Sequence, residues 1–157
     1  MQKIKVRHVQ TFLTVFMIYP ESINTEPSKK TPWIILEPGR IILMGRSIPE
    51  NPGDFYRPLQ EWVSNYSLNN IEKTNIQFGF EYINTSSTKW IYTICKELSQ
   101  LKDIDRNASV IWYYEQGDED MCELGFILRS LVECPFVVVE VAVMNKTWYK
   151  SVLAGTN

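Results

Sequence analysis

The chain of 157 residues carries a formal net charge of −2, three cysteines and a single histidine. That length suits one domain burying about two-thirds of its unfolded surface, and the near-balanced charge excludes the basic face that nucleic acid demands. Cys95, Cys122 and Cys134 form no CxxC pair and His8 stands apart from any acid or nucleophile pattern, which excludes a zinc site and a Ser-His-Asp or Cys-His centre and points to core thiols in a reducing compartment.

The first 16 residues carry Lys3, Lys5 and Arg7, followed by an apolar run over 9–19. The run resembles the start of a secretory signal, but it is too short to span a bilayer and no small-residue cleavage site follows. Residues 1–30 are therefore expected to be an extension and leader loop outside the fold, with Met17 as an alternative start and no membrane anchor. The stretch 22–32 is polar, holds two prolines and reads as a loop.

Two short β-rich runs, 33–37 and 41–45, flank Pro38-Gly39-Arg40, which predicts a β-hairpin. An irregular connection with two prolines occupies 45–53. Asp54 then caps a predicted helix whose apolar stripe is Phe55, Leu59, Trp62, Val63 and Tyr66, ending near 67–70. Over 71–83 the period changes to two, with Ile76, Phe78, Phe80 and Tyr82 alternating with polar residues or glycine, so a strand is expected. Trp90, Ile91, Ile94, Cys95, Leu98 and Leu101 restore a helical face over 85–101. Residues 108–114 are nearly all apolar or aromatic, as in a strand covered on both faces. Met121, Leu124, Leu128 and Leu131 mark a third helix, and 136–143 a last strand. Residues 144–157 read as a tail, with Trp148 docking back.

This order, β-β-α-β-α-β-α-β, predicts an α/β fold: an N-terminal hairpin leading into a mostly parallel sheet of about five strands with three main helices, within one domain over 31–143. Sites in such folds gather beyond the carboxyl ends of the strands. Two stretches meet that condition. At Asn84-Thr85-Ser86-Ser87-Thr88-Lys89 a strand gives way to a helix, and the hydroxyl and amide side chains can cap the unpaired N–H groups of the first turn. The same N–H groups and the helix dipole favour an anion, including a phosphate carried by one of those hydroxyls. At 115–120, Asp118, Glu119 and Asp120 suit a first helical turn. The alternative there is a small metal-assisted or ligand-binding enzyme using Glu115, Asp118 and Asp120, although no Gly-rich phosphate loop accompanies them.

Several motifs then occur in a recognisable order: Gly45-Arg46-Ser47-Ile48-Pro49-Glu50-Asn51, Phe55-Tyr56-Arg57-Pro58-Leu59 with Trp62, Tyr82-Ile83-Asn84-Thr85-Ser86-Ser87-Thr88-Lys89, and Trp112-Tyr113-Tyr114 before an acidic run. Over about residues 31–140 the chain resembles the SiaC family of bacterial regulatory phosphoproteins, departing from it in the N-terminal extension and in the tail after Val143. The resemblance implies a STAS-like domain with the logic of anti-sigma-factor antagonists: no enzymatic activity, no cofactor, and reversible phosphorylation of the threonine of an Asn-Thr-Ser-Ser motif, here Thr85. It implies a dedicated protein kinase, a PP2C-like phosphatase and, for the unphosphorylated form, a target such as a diguanylate cyclase, all in the cytoplasm. Asn84, Ser86, Ser87, Lys89, Glu50 and Asn51 are the partner-facing residues it suggests. Glu50 and Asn51 also suit a network that braces their loop.

Overall fold

The computed structural model describes residues 19–70 and 72–155, so the expected extension over 1–16 and the alternative start at Met17 lie outside the described residues. In chain order the elements are β1 (Ile23–Thr25), β2 (Trp33–Glu37), β3 (Arg40–Ser47), α1 (Pro52–Asn69), β4 (Thr74–Ile83), α2 (Thr85–Leu98), α3 (Ile104–Asn107), β5 (Ala108–Glu115), α4 (Glu119–Arg129), β6 (Phe136–Val141) and α5 (Lys146–Leu153). The strands form one sheet in the order β1-β2-β3-β4-β5-β6. The first two pairings are antiparallel and the other three parallel, so the hairpin and the mostly parallel α/β sheet stand as expected.

Strand order here equals sequence order. Parallel crossovers are almost always right-handed, so α1, α2 and α4 all return to the same side of the sheet. The inward positions of that side make the main core: Ile34 and Leu36 of β2, Ile41 and Leu43 of β3, Ile76, Phe78 and Phe80 of β4, and Val110 and Trp112 of β5. Against them lie Trp62 of α1, Ile91 of α2 and Leu128 of α4. Trp62, Ile91 and Trp112 are 4%, 0% and 0% exposed, as their apolar faces predict. Trp112 packs beside Phe78 and Phe80 at ring distances of 5.7 and 5.8 Å, and its Nε1 donates to the Met121 carbonyl at 2.9 Å. Gly125 is what lets α4 approach so closely, because a Cβ there would sit 2.4 Å from Trp112 Cδ1.

The opposite positions of the strands form a second, smaller core of Ile35, Ile42, Met44 and Tyr113, covered by Met144 and by Tyr149 and Val152 of α5. Trp148 meets Tyr113 edge-on at 4.9 Å and lies over Gly79, where a Cβ would be only 3.4 Å from the indole. The docking is pinned at both ends: the Met144 N–H donates to Glu115 at 2.8 Å, and Arg40 donates to the Leu153 carbonyl at 2.6 Å.

Three readings of the sequence need correction. The sheet has six strands where about five were expected, because Ile23, Asn24 and Thr25 of the supposed leader loop pair with Leu36, Ile35 and Ile34. The three main helices are joined by α3 and by α5, the latter formed within the expected tail. Finally, α1 begins earlier than Asp54. Asn51 is its N-cap, accepting the Asp54 N–H at 3.3 Å while its amide donates to the Asp54 carboxylate at 2.7 Å. Pro52 fills the first helical position, where its missing N–H costs nothing.

Candidate functional site

The strand-to-helix junction is built as the change of period predicts. β4 ends at Ile83, and Asn84 stays extended with φ −84° and ψ 167° while its side chain accepts the Ser87 N–H at 2.8 Å. Thr85 is thus the first residue of α2. The four consecutive hydroxyls meet four different fates. Thr85 and Ser86 are exposed, and the Thr85 hydroxyl makes no hydrogen bond among the described residues. Thr88 is half-buried and donates back to the Asn84 carbonyl at 3.1 Å. Ser87 is fully buried.

The Ser87 side chain therefore does not belong to the partner-facing surface on which it was expected. Helical geometry turns it inward, where its hydroxyl donates to the Ser47 carbonyl at 3.1 Å and receives the Ser47 hydroxyl at 2.9 Å. The Asn84 N–H also reaches the Ser47 carbonyl, at 3.1 Å. Tyr56 of α1 completes the group through a hydrogen bond between its hydroxyl and the Ser47 hydroxyl. Burial pushes the Tyr56 phenol up to about 12, against the opposing effect of the neighbouring Ser47 and Ser87 hydroxyls. The ring itself stacks on Trp90 at 6.2 Å and meets Phe55 edge-on at 4.9 Å.

Hydrogen bonds thus join the junction to the end of β3, from which a loop runs to α1. That loop is braced as its polar residues suggest. The Ile48 N–H donates to the Lys30 carbonyl at 2.8 Å, and Glu50 is ion-paired with the Lys30 ammonium, whose bond and charge hold the Glu50 carboxyl below its ordinary range. Glu50 and Asn51 are exposed, and so is Lys89 one turn into α2. Arg46, also exposed, lies over the Tyr82 ring at 5.6 Å.

The acidic stretch has a different construction. Asp118 is the N-cap of α4 and accepts the Met121 N–H at 3.0 Å, with Glu119 and Asp120 in the first turn. Glu115 instead accepts the Met144 N–H from the approach to α5. The three carboxylates of the enzyme alternative, Glu115, Asp118 and Asp120, are thus divided between a helix cap, a docking contact and the open first turn. Among the described residues no group of three or more His, Cys, Asp or Glu is placed to hold a metal ion. Cys95 is buried and its thiol pushed up to about 12, chiefly by burial, which leaves it inert.

Ser47 and Tyr56 were missed as members of the site. Tyr56 carried a signal, a tyrosine three residues before Leu59 on the helix stripe, whereas Ser47 fell in the irregular connection beyond the expected strand 41–45. Neither shows its partner, since Tyr56 lies 9 residues and Ser87 40 residues from Ser47 along the chain.

Residues 25–141 match the family described as SiaC family regulatory phosphoprotein. An uncharacterized protein of Pseudomonas aeruginosa (strain UCBPP-PA14) is 27% identical over 100 residues, covering 64% of this chain and 79% of that protein. Apo-SiaC from Pseudomonas aeruginosa superposes with a TM-score of 0.65 at 24% identity, covering 76% of this chain and 98% of that one. The crystal structure of the diguanylate cyclase SiaD in complex with its activator SiaC, from the same organism, gives 0.66 at 24% identity over 76% and 99% of the two chains. At that identity the likeness is one of fold.

Proposed function

Because the chain belongs to the SiaC family of regulatory phosphoproteins, matching it over residues 25–141, we propose that it is a non-enzymatic switch protein of a partner-switching pathway. A dedicated protein kinase phosphorylates Thr85, a PP2C-like phosphatase reverses the modification, and the unphosphorylated form binds a target protein. A diguanylate cyclase is the candidate target, since SiaC of Pseudomonas aeruginosa is the activator in complex with SiaD. Among the described residues no helix is long and apolar enough to cross a membrane, in keeping with a cytoplasmic place for the pathway.

The observation that carries this reading is the state of Thr85: exposed, its hydroxyl free of hydrogen bonds among the described residues, and at the first position of α2. A phosphate there adds about −1.5 to −2 charge at the positive end of a helix dipole, with the Lys89 ammonium one turn on. The domain tolerates it. A partner packed over Asn84, Ser86, Lys89, Glu50 and Asn51 does not, because burying an unpaired charge at an interface costs several kcal/mol and each 1.4 kcal/mol is about tenfold in affinity.

The test is the affinity of the purified phosphorylated and unphosphorylated forms for the diguanylate cyclase, with circular dichroism on both. The expected result is a loss of roughly a hundredfold on phosphorylation with an unchanged spectrum. Thr85→Ala keeps target binding and takes no phosphate, and Thr85→Glu weakens binding in part because one carboxylate carries less charge than a phosphate. Equal affinities would end the switch reading, and a changed spectrum its local-electrostatic form.

A further inference from the structure

Three motifs distant in sequence end in one group of buried hydroxyls beneath Thr85. Ser47, Tyr56 and Ser87 are each 0% exposed. Their hydrogens can be assigned by counting. The Ser87 hydroxyl donates to the Ser47 carbonyl and the Ser47 hydroxyl donates to Ser87 Oγ, so both serine hydrogens are committed. The bond between Ser47 and Tyr56 must then be donated by the phenol. The Ser47 carbonyl accepts twice, from the Ser87 hydroxyl and from the Asn84 N–H, which fills both of its lone pairs. Such a network has one arrangement, and its phenol must stay protonated to keep it.

Its geometric effect reaches the surface. Successive helical residues turn by about 100°, with 3.6 residues per turn. Holding Ser87 inward therefore points Thr85, two residues earlier, about 200° away and into solvent. Asn84 and Thr88 close the turn on either side. Without the Ser47 hydroxyl, Ser87 keeps only its bond to the Ser47 carbonyl, and a turn so loosened can rotate to bring Ser87 outward in place of Thr85.

We propose that Ser47 and Tyr56 are positioning residues that decide which hydroxyl of the quartet Thr85, Ser86, Ser87 and Thr88 receives the phosphate. The proposal rests on the phosphoprotein reading above. In the transfer, Thr85 Oγ1 attacks the γ-phosphorus of a nucleoside triphosphate. The new O–P bond forms as the bond from that phosphorus to its bridging oxygen breaks, the nucleoside diphosphate leaves with the electron pair, and the hydroxyl proton passes to a base of the kinase. Ser47 and Tyr56 touch none of these atoms and act by holding the acceptor in place.

The experiment compares the full-length wild type with Ser47→Ala and Tyr56→Phe, each phosphorylated by the cognate protein kinase with MgATP, with sites mapped by tandem mass spectrometry and rates followed over time. The expected wild-type product carries one phosphate, on Thr85. In both variants the rate at Thr85 falls at least tenfold, mainly in kcat, and phosphate appears on Ser87. A purely structural role would lower the melting temperature while leaving rate and site unchanged, and that outcome overturns the proposal. Tyr56→Phe removes a single oxygen and decides the matter alone if Ser47→Ala does not fold. A wild type that takes no phosphate overturns the phosphoprotein reading, and the selection falls with it.

Discussion

Asn84 secures the first turn of α2 with one side-chain oxygen on the Ser87 N–H. Its replacement by alanine frees that donor and costs about 1 kcal/mol, as for other N-caps, a loss readable by thermal or denaturant unfolding. Asp118 caps α4 in the same way, yet Asp118→Asn changes stability by only about 0.5 kcal/mol, because Asn caps equally well and only the dipole contribution is lost. Tight, stoichiometric magnesium binding abolished by that substitution would contradict the cap. Tyr56 gives the site a pH limit. Its phenol is raised from 10.0 to about 12 in the fold, so the folded state holds the proton more tightly than the unfolded state. The associated stability is full below pH 10 and is lost as pH rises from there through about 12. Alkaline unfolding monitored by circular dichroism should therefore begin near pH 10, and Tyr56→Phe should shift that limb upward from a lower starting stability.

Trp62, Ile91 and Trp112, each expected on an apolar face or run of its element, are buried. Trp62→Ala, Ile91→Ala and Trp112→Ala should each cost about 3–5 kcal/mol; unchanged denaturation midpoints would refute their placement. Gly125→Ala should also destabilise, by about 1–3 kcal/mol, since the new Cβ displaces a core indole. The long elements were legible because their periods are strong: β4 alternates, β5 is continuously apolar, and α2 restores a helical stripe. β1 was not, because three residues in a polar stretch gain strand character only from the edge of β2. Nor was α5. Eight residues fall below the length at which a helix is stable alone, and its order comes from Trp148, Tyr149 and Val152 packing on the sheet. At the site, Thr85 and its cap follow from the local pattern and the family motif. The hydroxyl network does not, because it is a tertiary contact among three elements.

At the scale of the whole molecule, one-sided winding leaves the second sheet face, among the described residues, to the short helix α5. Trp148→Ala should loosen that cover, raising amide exchange across 146–153 by about tenfold or more while leaving β4 protected, as expected of local opening. Equal exchange in α5 and β4 of this variant would show that the indole is not the anchor. The coincidence of strand order with sequence order bears further on how the chain is made. A polypeptide leaving the ribosome presents its N-terminal part first, and here each new strand finds its neighbour already synthesised. The Ser47 and Tyr56 partners and the Thr85 corner are all in hand once α2 has emerged, before β5, β6 or α5 exist. The Thr85 corner is thus among the first features translation can complete, and the cover on the far face among the last.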